Sequence, residues 1–208
     1  MFDGHYESDY EDVRANHRQG IRKCVMILCV LAIVVGIIIP TYNNLVEKEE
    51  NIKFAKSNVE NMMQRRLELI PDLVETVKAV TLHEEKVFTE ISKARKELIS
   101  SLEGGEVSKI SKANSELSQT INNLLAVAED YPDLTSGQHY ISLMDQLERS
   151  VNRIAIARED YNVAVSQYNK EIRRFPNSIF ARLLGFKKYD TFEADEAARQ
   201  NNMVNFGT

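Results

Sequence analysis

Arg66 and Arg158 stand where the helical rhythm of apolar residues calls for a hydrophobic side chain, and Glu84 interrupts the same rhythm between Val80 and Val87. A guanidinium taken out of water without partners costs several kcal/mol, so acceptors must lie close by. With Arg65 adjacent and Glu84, Glu129, Asp130 and Glu148 as candidate acceptors, two chemistries are open. One is an internal network of ion pairs and hydrogen bonds that fixes helix register, with Arg65, Arg66, Glu84, Glu129 and Arg158 as its members. The other is a pocket that holds an anion through Arg65 and Arg66. The network is the expectation.

A second group of charges lies near the end. Arg173, Arg174, Arg182, Lys187 and Lys188 fall in a stretch without an acid, interleaved with Ile179, Phe180, Leu183, Leu184 and Phe186. A short helix here is cationic and amphipathic. It either caps the fold with its apolar side or contacts anionic lipid or an acidic partner. Beyond it the tail turns acidic and ends in NNMVNFGT, where Val204 and Phe206 are suited to docking back or to pairing with a neighbour. Tyr161-Asn162 and Tyr168-Asn169 repeat a YN pair one heptad apart, and the tyrosines read as core residues whose hydroxyls reach a partner.

Catalytic patterns are not found. The histidines are His5, His17, His83 and His139, and none follows a Glu by three residues as a di-iron bundle would require. His83 opens HEEKV, which lacks the second histidine of a zinc-protease helix. Neither a phosphate-binding glycine loop nor a GxSxG turn occurs. No enzyme activity, metal or cofactor is expected. A net charge of −5 over 208 residues argues against nucleic acid as a partner.

The elements that position these residues are helices. Apolar residues recur at spacings of three and four from Leu45 through Ile52, Val59, Ile70, Leu73, Val77, Val80, Val87, Ile91 and Ala94 to Leu98. A second stripe joins Val107, Ile110, Leu117, Ile121, Leu124 and Ala128, and a third runs from Leu147 through Val151, Ile154, Arg158, Tyr161, Val165 and Tyr168 to Ile172 and Phe175. Pro71 should start a new helix or bend a long one. Gly104-Gly105, the DYPDLTSG segment and Phe175-Pro176-Asn177 mark the ends of the others. Short connections predict antiparallel neighbours. The fold expected is all-α: one N-terminal transmembrane helix followed by an antiparallel four-helix bundle with long helices.

The anchor is the run Cys24 to Ile39, sixteen apolar residues preceded by Arg14, Arg18, Arg22 and Lys23. Sixteen helical residues cover about 24 Å, and continuing through Tyr42 with snorkelling Arg22 and Lys23 brings the segment close to the ~30 Å hydrocarbon core. A buried core helix would turn a polar face outward, and this run has none. The chain reads IIIPTY after it, without the small residues of a cleavage site, which favours an uncleaved signal-anchor over a removed signal peptide. Four Lys or Arg before the span and two (Lys48, Lys53) after it place the N-terminus in the cytoplasm and the bundle outside. Both cysteines, Cys24 and Cys29, lie in this segment, so no disulfide is expected beyond it. The domains are a short tail (1–23), the signal-anchor (24–40), a helical bundle (41–185) and a C-terminal tail (186–208).

The strings YNNLVEKEE, QRRLELIPDLVETVK, AEDYPDL and NRIAIAREDYNVAVSQYNKEIRRFPNSIFARLLGFKKYDTFEA resemble the LemA family of bacterial membrane proteins. The resemblance covers the anchor and nearly all of the region after it; residues 1–23 are longer than the family pattern. It implies an N-terminal membrane helix, an antiparallel helical bundle and no catalytic or metal-binding residue to carry over. Relatives' association with membrane-embedded proteases and with membrane organelle formation implies a scaffold, with a membrane protease or another envelope protein as partner. The function expected is a non-catalytic, membrane-anchored scaffold or adaptor, self-assembling into a homo-oligomer in the bacterial cell membrane. The alternative is an extracytoplasmic ligand-binding sensor that acts through a membrane partner.

Overall fold

The computed structural model describes the backbone of residues 4–81 and 84–193, with side chains placed at 25–29 and from 35 onward within those ranges. The charges that precede the apolar run, His5, His17, His83, and the tail anchors Val204 and Phe206 lie outside the described side chains. The described residues are helical, without a strand, in the order α1 (Gly4–Lys78), α2 (Glu85–Gly104), α3 (Val107–Glu129), α4 (Pro132–Thr135), α5 (Gln138–Glu171) and α6 (Asn177–Leu183).

The stripes explain these elements. Leu45, Ile52, Val59, Met63, Leu67, Ile70, Leu73 and Val77 recur at helical spacing along α1, and each is essentially shielded from solvent. Such a stripe forms a helix because packing, more than propensity, holds helices in water. Pro71 neither starts a helix nor ends one: α1 continues through Pro40 and Pro71. Ile70 and Leu73, buried on either side of Pro71, keep that turn helical despite its missing donor. α1 ends instead at Lys78 and α2 begins at Glu85, with Val80 exposed after the end of α1.

The α2–α3 turn closes where Gly104-Gly105 predicts. Gly105 takes φ +69°, the left-handed region that suits a residue without Cβ, and its amide donates to the Ser101 and Leu102 carbonyls. Pro132 opens α4, and Gly137 precedes α5, the longest helix after α1.

Contacts fix the directions. Lys56 Nζ donates to the Gly105 carbonyl at 2.6 Å, Arg95 Nε donates to the Leu67 carbonyl at 3.3 Å, and Arg66 Nη1 reaches Asn114 and Ser118. Thus α2 runs antiparallel to α1 and α3 parallel to it. Thr41 meets Asn177 just beyond α5, and Arg65 shares a groove with Arg149 and Arg153, so α5 also runs antiparallel. The closest pairings are α1 with α5 and α2 with α3.

This register divides the molecule along its length. Between Lys56 and Lys78, α1 is flanked by α2, α3 and α5. Between Thr41 and Lys56 the α2–α3 hairpin has already turned back. There α1 is covered by α5, by α6 and by the extended segment 186–193, which we call the strap. One apolar core nevertheless runs through both halves, from Leu73 and Leu98 to Leu45, Tyr168 and Phe192.

Candidate functional site

The strap lies antiparallel along α5 and is held by the repeated Tyr-Asn pair. Asn169 Nδ2 donates to the Tyr189 carbonyl at 2.8 Å, and the Tyr189 amide donates to Asn169 Oδ1 at 3.1 Å. Asn162 repeats the arrangement at Phe192, donating to its carbonyl at 3.0 Å and accepting from its amide at 2.8 Å. Seven helical residues advance about 10.5 Å and three extended residues about 10 Å, so the two spacings match. Each Asn side chain thereby satisfies both polar groups of one backbone residue, as a neighbouring β-strand would.

The tyrosines complete the ladder. Tyr161 donates its hydroxyl to the Asp190 carbonyl at 2.9 Å and packs edge-on against Phe192, with ring centroids 5.1 Å apart. Tyr168 packs edge-on against Tyr189 at 5.4 Å. The Arg158 guanidinium lies over the Phe192 ring, 5.4 Å from its centroid. Tyr189 in turn donates its hydroxyl to Glu49 at 2.7 Å, tying the strap to α1. Burial, and then the nearby Asp190 charge, pushes the Tyr161 hydroxyl up to about 12. Tyr189 is raised further, by burial first and then by its bond to the Glu49 carboxylate. Neither phenol is disposed to ionise near neutrality, so the ladder is a device for holding backbone and not for moving protons.

The basic segment forms the tip of the Thr41 end. α5 finishes at Glu171, which accepts a hydrogen bond from Asn177 Nδ2. α6 then buries Ala181 while Ile179 and Leu183 stand 58% and 77% exposed, and Phe175 just before it is 76% exposed. Arg173, Arg174, Arg182, Lys187 and Lys188 are exposed around them. Tyr42 packs against Phe186 with ring centroids 5.9 Å apart, which sets the tip beside the end of the apolar run.

The five residues expected as a polar network occupy separate places. Arg66 is 4% exposed, and its Nη1 donates to Asn114 Oδ1 at 3.3 Å and Ser118 Oγ at 3.0 Å. Arg65, one residue earlier, is exposed and lines the groove with Glu68, Arg149 and Arg153. Arg158 sits half-buried against the face of the Phe192 ring and does not line that groove. Glu84 lies half-buried before α2, in a hollow shared with Lys78 and Thr81. Glu129 is exposed at the end of α3, near enough to Tyr140 for its charge to assist burial in raising that phenol. Among the described residues no group of three His, Cys, Asp or Glu side chains could hold a metal ion.

Sequence reasoning named Asn162 and Asn169 as members of the repeated YN pair but gave the asparagines no role. Their signal was present: an Asn repeated at seven residues beside inward tyrosines is out of place on a purely solvated face. Recognising its partner required the strap, whose KKYDTF carries no helical or strand period.

In the apolar run, Val25, Met26, Ile27, Leu28, Val35, Ile37 and Ile39 are all exposed. Among the described residues no helix is long and apolar enough to cross a membrane.

Comparison with known proteins follows from the same segments. The model of the LemA family matches residues 55–206. Magnetosome protein MamQ 2 and Magnetosome protein MamQ 1 of Paramagnetospirillum magneticum are each 30% identical over 198 residues, covering 83% of this chain and 73% of the relative. Magnetosome protein MamQ of Magnetospirillum gryphiswaldense is 27% identical over 204 residues, covering 86% and 75% respectively.

Proposed function

The chain belongs to the LemA family, and from that premise we propose that it is a non-enzymatic, membrane-anchored helical scaffold that self-assembles and holds other membrane or envelope proteins. The observation that carries the reading is the apolar end of α1. Seven large apolar side chains stand uncovered there on a helix that continues without a break into the core. An exposed apolar surface of this kind needs lipid or another chain to cover it. With the residues at 30–34 (VLAIV) included, the run is one span of a bilayer. The excess of Lys and Arg before it supports a cytoplasmic N-terminus and an extracytoplasmic bundle.

Beyond the anchor, α1, α2, α3 and α5 make an antiparallel four-helix bundle over the Lys56–Lys78 half, with the strap and α6 completing the other half. The side chains of this bundle are spent on packing and on holding backbone, which suits a scaffold. The designation of its relatives as magnetosome proteins supports a place in an assembled cell structure.

The test is the mass of the full-length protein in detergent beside a chain starting at Thr41. A defined oligomer that needs the anchor is the expected result. Monomers in both would sink the self-assembling scaffold. They would favour a second reading, a sensor that holds an anion in the α1–α5 groove, where Arg65, Arg149 and Arg153 gather against Glu68.

A further inference from the structure

α5 descends toward the Thr41 end and the strap ascends from it, so residues 172–185 form the reversal between them. This reversal sits at the foot of the apolar run. Thr41 Oγ1 lies 3.5 Å from Asn177 Oδ1, and Tyr42 packs on Phe186. α6 turns Ala181 inward and leaves Ile179 and Leu183 in the open, continuing a ridge that begins at Phe175. Scattered exposed apolar residues are ordinary. A run that exposes Phe175, Ile179 and Leu183 among Arg173, Arg174, Arg182, Lys187 and Lys188, with no acid from Ile172 to Tyr189, is not.

We propose that this ridge lies in the headgroup region of an anionic bilayer, a second membrane contact beside the span that fixes the tilt of the bundle. The inference rests on the reading of 24–39 as a span. Two arguments choose lipid as the occupant. The ridge is continuous with the exit of the apolar run, within a helical turn or so of Ile39. Its charge also complements anionic headgroups, whereas a second copy of the same face would bring five cations against five. The apolar side chains enter the acyl boundary while the cations stay at headgroup level.

The chain has no tryptophan, so single probes report cleanly. Leu183→Trp, Ile37→Trp and Phe54→Trp are made in the full-length protein and reconstituted into phosphatidylcholine–phosphatidylglycerol vesicles whose acyl chains are brominated near the headgroup. Phe54 is exposed on α1, about 20 Å beyond Thr41, and serves as the reference out of reach of lipid. The expected result is quenching of Leu183→Trp severalfold stronger than of Phe54→Trp. That quenching should fall toward the reference when the five cations become Gln, or when phosphatidylglycerol is omitted.

Quenching at Ile37→Trp but only reference-level quenching at Leu183→Trp would overturn the ridge contact and leave the span standing. No quenching at Ile37→Trp would remove the span, and the ridge proposal with it. Blue-shifted but unquenched Leu183→Trp emission would mean that protein covers the ridge, which also overturns the proposal. Ile179→Trp, read the same way, guards against a local disturbance at position 183.

Discussion

Arg65 and Arg66 are adjacent and chemically identical, yet they live in different solvents. The heptad step from Val59 to Leu73 turns position 66 inward, which was legible in the sequence, whereas Arg65, expected in the same network, is turned outward. The groups shown to hold Arg66 Nη1 were not, because Asn114 and Ser118 are neutral and leave no charge pattern to follow. Arg66→Ala should cost about 2–4 kcal/mol, from the cavity and from the buried Asn114 oxygen left without its donor, whereas Arg65→Ala should stay within about 0.5 kcal/mol. Urea melts of the two variants check this, and equal losses would contradict it. Tyr161 carries a pH signature. Its folded-state pKa is raised to about 12 from an ordinary 10.0, so the unfolded chain loses its proton first. Stability from this group is fully present below about pH 10 and falls as pH rises toward about 12. Tyr161→Phe should flatten that part of the alkaline stability profile.

At the scale of elements, the helices follow from their stripes, and the ends at Gly105, Pro132 and Gly137 follow from residue types with a preferred geometry. The strap does not. Its conformation is set by Asn162 and Asn169 and not by its own composition, so a reading of local pattern passes over it. Asn169→Ala removes both hydrogen bonds to Tyr189 and should destabilise the strap by about 1–3 kcal/mol. Hydrogen exchange at the Tyr189 amide should then accelerate by about 5- to 150-fold, while the Ile110 and Leu117 amides stay protected. Unchanged protection at Tyr189 would show that the aromatic contacts alone hold the strap. At the α2–α3 turn, Gly105→Ala forces a Cβ into the left-handed region, 3.1 Å from Lys56 Nζ. The lysine end can move but the backbone cannot, so a loss of about 1–2 kcal/mol is expected in thermal melts.

For the whole molecule, an all-helical fold with antiparallel neighbours could be read from periodicity and short connections. The change of partners along α1 could not, because a heptad stripe looks the same whether it is covered by two helices, three, or a strap. The half around Leu45 and Ile52 relies on α5, the short α6 and eight extended residues, while the half around Leu67 and Leu73 has three longer helical neighbours. Hydrogen exchange should therefore find amides of residues 45–52 opening before those of 67–77, and uniform protection along α1 would contradict the two-part construction. α1 itself has a mechanical consequence. From Thr41 to Lys78 it is one unbroken rod of about 55 Å, so anything that binds its Lys78 end stands that far from Thr41. A swing of about 10° at its Thr41 end would carry the Lys78 end about 10 Å sideways, which makes the helix a lever.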